Sequence, residues 1–368
     1  MTPLRRWLLV AIGVVLLIGV PLGVRAIPVG DSSVSAPDLL QRIQSSQDHG
    51  YSGYVETLGT LQLPVADRFT DVGALFGERT RMRVWWRSAT DWRVAKVLAT
   101  GEDDLIHRGD RTTEWNYEKS SVTVSRDPAV RLPRTADLLP PELSRRLLQD
   151  VNTSEIRRLA SRRVAGQDAP GLRLSPAAPQ SSVDHVDVWA DPSTGIPLLV
   201  EVYARGATTA AFTSEFMSFS SSTPSATTTA FAPPAGARVS FDGIVDIADA
   251  ANHYAPVAPP PTLAGLSQSS TAQLRAVGVY GAGVTQLIAI PLWDRAAEPL
   301  RAQMERTPGV RLIAEGDILA VGPLSVLLTQ REDFDGGWLL AGTVTESTLI
   351  TAAHQLESGA RSLPGPPP

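Results

Sequence analysis

Residues 81–98 read R-M-R-V-W-W-R-S-A-T-D-W-R-V-A-K-V-L, and their alternation decides the fold. Consecutive side chains on a strand point to opposite faces. Met82, Val84 and Trp86 therefore share one face, while Arg81, Arg83, Trp85 and Arg87 share the other. After a turn at residues 88–91, Trp92, Val94 and Lys96 alternate with Arg93, Ala95 and Val97. This is a hairpin, greasy on one face and wet on the other. Similar runs surround it at 51–61, 105–107, 113–117 and 121–125, with turn residues at Gly109-Asp110 and Lys119-Ser120. Such spacing predicts an antiparallel meander.

Two short helices interrupt the strands. One covers 37–47: Ser35 caps it, Pro37 and Asp38 open it, Leu39, Leu40 and Ile43 form its apolar stripe, and Gly50 stops it. The other covers 141–150, with Leu143, Leu147 and Leu148 on one side. Strands resume at 155–164, 171–175, 183–190, 197–204 and 210–219, and the Ser/Thr-rich residues 220–230 read as an exposed loop or edge. Residues 250–270, with Pro256, Pro259, Pro260 and Pro261, read as a linker. A hairpin follows at 274–280 and 284–291, then a helix at 294–306 that Pro299 delays or bends. Strands at 310–314, 318–321, 324–330 and 338–343 precede a last helix capped by Thr345, with Leu349, Ile350, Ala353 and Leu356 inward. The expectation is an α+β chain: a large strand-rich domain over 35–240, a small α+β domain over 271–358 and a disordered tail over 359–368.

With 368 residues the chain can hold two cores. A net charge of −5 argues against nucleic acid as a partner. Cysteine is absent, which excludes disulfides, thiolate chemistry and Cys-based zinc sites. Arg5 and Arg6 precede an apolar run over 7–24, so the start stays in the cytoplasm and the body lies outside it. The run is long enough to span a membrane as a retained anchor. Val24-Arg25-Ala26 also resembles a small-residue site at which a signal peptide over 1–26 would be cleaved after Ala26.

Chemistry is hard to find. His49, His107, His185, His253 and His354 are scattered, none at metal-ligand spacing, and no cofactor is expected. Residues 332–336 are spaced like a calcium loop, but Arg331 and Gly342 occupy positions that need carboxylates. Arg108-Gly109-Asp110 reads as a tight turn, and Glu102-Asp103-Asp104 as a solvated turn. No sequence motif of a hydrolase occurs, so hydrolysis stands as a third reading only. The tryptophans carry more weight, since burying one hides roughly 150–250 Å². Met82, Val84, Trp86, Trp92, Val94, Trp115, Tyr117 and Trp189 are either the core between sheet and helices or the lining of a hydrophobic cavity. Arg79, Arg81, Arg83, Arg87 and Arg93 would offer charge on the alternate face to an acidic partner or to lipid headgroups.

Helix 37–47 followed by Tyr51-Ser52-Gly53-Tyr54-Val55 resembles the opening of the large domain of the sigma-E regulators of the RseB/MucB family. Val164-Ala165-Gly166-Gln167-Asp168 with Leu172-Arg173-Leu174-Ser175-Pro176 is similar to that domain's later hairpin. Residues 186–189 with Asp191-Pro192-Ser193-Thr194-Gly195-Ile196-Pro197-Leu198 look like its ending, a pattern shared with the LolA lipoprotein carriers. The resemblance implies a curved, half-open antiparallel sheet (a half-barrel) with helices in its mouth. It also implies a cavity for lipid or lipoprotein acyl chains, and an extracytoplasmic anti-sigma factor domain as partner. A carrier of the LolA type is the alternative. Identities in the second domain match only loosely.

Overall fold

In a computed structural model of the chain, the described residues are 28–61, 70–128, 130–241, 246–255, 257–269, 274–330 and 337–362, with residues 5, 7, 12 and 13. Apart from those four positions, the expected anchor or signal over 1–26 lies outside the described residues, as do the calcium-like stretch 332–336 and the tail beyond 362. Among the described residues no helix is long and apolar enough to cross a membrane.

One large sheet dominates. After helix α1 (Ala36–Ser45), strands β1 (Tyr51–Gly59), β2 (Arg79–Ser88), β3 (Asp91–Val97), β4 (Glu102–Arg108), β5 (Arg111–Asn116) and β6 (Ser121–Arg126) form a first meander. A second comprises β7 (Ile156–Val164), β8 (Gln167–Leu174), β9 (Val183–Ala190), β10 (Pro197–Ala204) and β11 (Phe212–Ser220). The meanders fuse where β1 pairs antiparallel with β11, and β12 (Arg238–Ser240) adds a parallel strand beyond β6. The product is a curved, unclosed sheet.

Short helices cover one face, here called inner. Ser35 Oγ caps α1 by accepting from the Asp38 amide at 3.2 Å, and α1 buries Leu39, Leu40 and Ile43 with Leu172, Val188 and Val200 of the sheet. Gly195, at φ +76°, holds the β9–β10 turn against α1; a Cβ there would sit 2.5 Å from the Arg42 carbonyl oxygen. Helix α2 (Thr70–Gly77), which the sequence pattern did not reveal, brings Phe76 to 5.5 Å from the Phe212 ring. A 3-10 turn over Thr135–Leu138 leads into α3 (Pro140–Leu147) and places Leu138 and Leu139 in the core. Asp137 ties that turn down. Its carboxylate accepts from Arg131 at 2.6 and 3.0 Å, from the Arg134 amide at 2.8 Å, and from Arg146.

Residues 220–230, expected as an exposed loop or edge, include α4 (Ala226–Thr229), which packs against β2 and β3 and buries Thr229. The proline-rich stretch 250–270, expected as a linker, carries paired structure. Helix α5 (Ile247–Tyr254) runs into it, β13 (Val257–Ala258) pairs with β22 (Arg361–Ser362), and β14 (Thr262–Leu263) pairs with β15 (Leu266–Ser267). Leu263 and Leu266, one on each strand of the second pair, join a core. The first residues of the expected disordered tail are likewise held, by β13.

A second sheet has the order β16 (Gly278–Ala282), β17 (Thr285–Pro291), β21 (Trp338–Gly342), β20 (Leu324–Thr329), β19 (Gly316–Val321), β18 (Arg311–Ile313). Helix α6 (Asp294–Met304) contains Pro299, and α7 (Glu346–Gly359) buries Leu349, Ala353 and Leu356 against this sheet. Main-chain bonds stitch the two sheets together: the Ser182 amide donates to the Thr343 carbonyl at 3.2 Å and the Thr345 amide to the Gln180 carbonyl at 2.8 Å.

Candidate functional site

Strand register explains the tryptophans. Tyr51, Trp86, Trp92 and His107 stand directly opposite one another across β1 to β4. Their rings stack in sequence: Tyr51 on Trp86 at 5.7 Å and 7°, Trp86 on Trp92 at 5.3 Å and 2°, Trp92 on His107 at 5.2 Å and 14°. Beside this row Met82, Val84 and Val94 are fully buried among Val55, Leu139 and Phe216. These three fill the inner face as core and leave no wall exposed there.

A cavity of about 380 Å³ opens at the Tyr51 end of the row, between the end of α1, α3 and the sheet. Ile43, Tyr51, Trp86, Pro141 and Leu148 supply its apolar wall; Gln44, Gln47, Ser144 and Gln149 supply polar groups. Glu142 and Arg145 also line it and pair with each other at 2.7 Å. Tyr51 is 2% exposed and Ser144 is wholly buried, yet neither hydroxyl has a hydrogen-bond partner among the described residues. Burial, and secondarily the Glu142 charge, hold the Tyr51 phenol protonated well above its ordinary range. Of the eight cavity candidates, Trp86 alone lines this space. Tyr51 and Ser144 were missed because only the β1–β2 register puts Tyr51 opposite Trp86, and only the docking of α3 brings Ser144 there.

Two candidates lie on the outer face, and a third, Tyr117, lies just past the end of β5. Facing partners run laterally from Arg81 through Glu56, Glu215, Leu199 and Trp189 to Gly171. Trp189 therefore shares the arginine face; its indole N–H donates to the Ala160 carbonyl at 3.1 Å, and Arg162 lies 5.3 Å over the ring. Trp115 stands opposite Asp104 and Val122, again on the arginine face, and Phe231 covers it at 6.0 Å. Tyr117 is 57% exposed. Alternation holds within a strand, but each turn resets which parity faces in.

The arginines of that face are largely paired. Arg79 and Arg81 share Glu56 at 2.7 and 3.1 Å, while Arg87 meets Asp91 at 2.7 Å and the Pro224 carbonyl at 2.6 Å. Arg93 pairs with Asp104, and Arg83 is exposed. Asp104 belongs to β4 and is buried, so residues 102–104 are strand where a solvated turn was expected. Burial raises its carboxyl above the ordinary range despite Arg93. Burial also raises Glu215, against the pull of Arg162 and with the repulsion of Glu201 and Glu56. Among the described residues no group of three or more His, Cys, Asp or Glu side chains could hold a metal ion.

No family model matches the chain, and no curated protein matches it. Solved structures do. The Pseudomonas aeruginosa MucA/MucB complex matches with a TM-score of 0.50 and 16% identity, covering 89% of this chain and 99% of that one. A structure of MucB in complex with periplasmic MucA gives 0.49, 16%, 89% and 99%. A LolA superfamily protein from Nitrosomonas europaea gives 0.22, 12%, 51% and 93%. At such identity the likeness speaks of architecture alone: the chain has the fold found in the MucA/MucB complex structure, a curved unclosed sheet with few short helices in an α+β chain.

Proposed function

We propose that the chain is a non-catalytic binding and regulatory protein on the extracytoplasmic side of the cell membrane, docking on the extracytoplasmic part of a membrane anti-sigma factor. The observation that carries this reading is the fold shared over 89% of the chain with a structure of the MucA/MucB complex. Arg5 and Arg6 before the apolar run support the same side of the membrane. Residues 7–24 then tether the body, or cleavage after Ala26 releases it. The test is crosslinking and affinity capture of the tagged full-length chain from its own cells. Recovery of a membrane protein with a cytoplasmic sigma-binding segment is expected; a folded chain that recovers none overturns the reading.

A second activity, sensing or carrying acyl lipid or lipoprotein, is favoured by one observation, the cavity beside Tyr51 and Trp86. Organic extraction of the folded protein followed by mass spectrometry is expected to release an acyl compound. Reproducible absence of any such compound removes this activity and leaves the docking role standing.

A further inference from the structure

The cavity has a chemical bias that goes beyond apolar volume. Among the buried hydroxyls here, Thr57 Oγ1 has no partner but does not line the cavity, while two others are used by the fold: Ser214 Oγ donates to the Leu138 carbonyl at 2.6 Å and Ser46 Oγ to the Ile43 carbonyl at 2.7 Å. Tyr51 and Ser144 are not, although both are buried at one cavity. A buried hydroxyl without a partner costs free energy that a bound acceptor returns. Ser144 sits within α3, where a serine hydroxyl ordinarily bonds back to the preceding turn; here it does not.

The rest of the lining sets the ligand's other properties. Glu142 and Arg145 neutralise each other, so the wall favours an uncharged guest. Ile43, Pro141, Leu148 and Trp86 receive an apolar body. A volume of about 380 Å³ is near the lower end of ligand pockets, which suits one short chain and not the several chains of a lipoprotein anchor.

We infer that this cavity is a receptor site for a small, uncharged, single-chain amphiphile whose ester or amide carbonyl accepts hydrogen bonds from the hydroxyls of Tyr51 and Ser144. This deepens the second activity above and rests on it.

The test titrates the full-length protein with 1-octanoylglycerol and with 1-O-octylglycerol, which differ only in the carbonyl, followed by calorimetry. The ester is expected to bind about tenfold more tightly than the ether. Tyr51→Phe and Ser144→Ala should each remove about threefold of that advantage for the ester and together abolish it, leave the ether unchanged, and melt no lower than wild type without ligand. Equal binding of both probes, indifferent to the two substitutions, overturns the carbonyl assignment while sparing the amphiphile activity. Binding of neither probe overturns both. A marked fall in melting temperature of the unliganded variants also overturns the assignment, because the hydroxyls are then satisfied without a guest.

Discussion

Arg93 on β3 reaches across to Asp104 on β4, and the carboxylate it meets is 1% exposed. The same guanidinium lies 5.5 Å over the Trp85 ring. Burial keeps the Asp104 carboxyl above its ordinary range, so desolvation outweighs the attraction. Arg93→Met strands a buried carboxylate and should cost about 3–5 kcal/mol, whereas Asp104→Leu leaves Arg93 facing Glu102 at 3.8 Å and should cost less. The double variant should recover most of the Arg93→Met loss. Urea unfolding of the four proteins of the cycle checks it, and additive losses refute the account.

Asp137 behaves in the opposite sense. Burial raises its carboxyl, but the hydrogen bond from Arg131 and the charges of Arg146 and Arg131 win, so it ionises below the ordinary range. Its stabilisation is therefore present above the unfolded-state value, about 3.9, and is lost as pH falls through the lower folded value. Asp137→Asn should cost about 3 kcal/mol at pH 7. The gap to wild type should close below about pH 4, as read by unfolding measurements between pH 7 and 2.

Trp86 stands in the middle of the stacked row and on the cavity wall. Trp86→Ala should lower stability by about 3–5 kcal/mol and also weaken binding of the octanoylglycerol probe. Trp92→Ala should give the first effect without a direct second one, since Trp92 does not line the cavity. Equal loss of probe binding in both variants at matched stability contradicts this division.

Gly195 is left-handed at φ +76° and faces the Arg42 carbonyl, so Gly195→Ala should push α1 off the sheet. A cost of about 1–3 kcal/mol is expected. Amide exchange should quicken first in α1.

Arg79 and Arg81 are more than half exposed and share one glutamate. Replacing both by Gln should change stability by no more than about 1 kcal/mol. If the outer face docks an acidic partner, the same change should slow association and flatten its dependence on salt, as measured by surface plasmon resonance with the captured partner.

The strand limits were legible because alternation and turn residues are local. Strands β9 and β10 fall where the sequence puts them, at Val183–Ala190 and Pro197–Ala204. The inner set Met82, Val84, Trp86, Trp92 and Val94 was also legible, being one hairpin with one turn. Trp115 and Trp189 were not, because their orientation depends on register carried through several connections. Asp104 read as solvated since nothing in Glu102-Asp103-Asp104 announces that Arg93, opposite Ile106, lies diagonally across from Asp104 on the same face. Tyr51 and Ser144 belong to the cavity through tertiary docking alone. Leu263 and Leu266 among prolines gave too short a pattern to signal pairing.

The stitch between Ser182 and Thr343, and between Thr345 and Gln180, uses amides and carbonyls only. Only proline, at Ser182 or Thr345, removes a donor from these two bonds; other side chains there leave them in place. Swinging the smaller sheet away requires unzipping both bonds and the Ser181–Val344 bridge between them. Parting the halves would also undo the bond from Ser182 Oγ to the Pro323 carbonyl and lift Val284 out of the larger sheet's core.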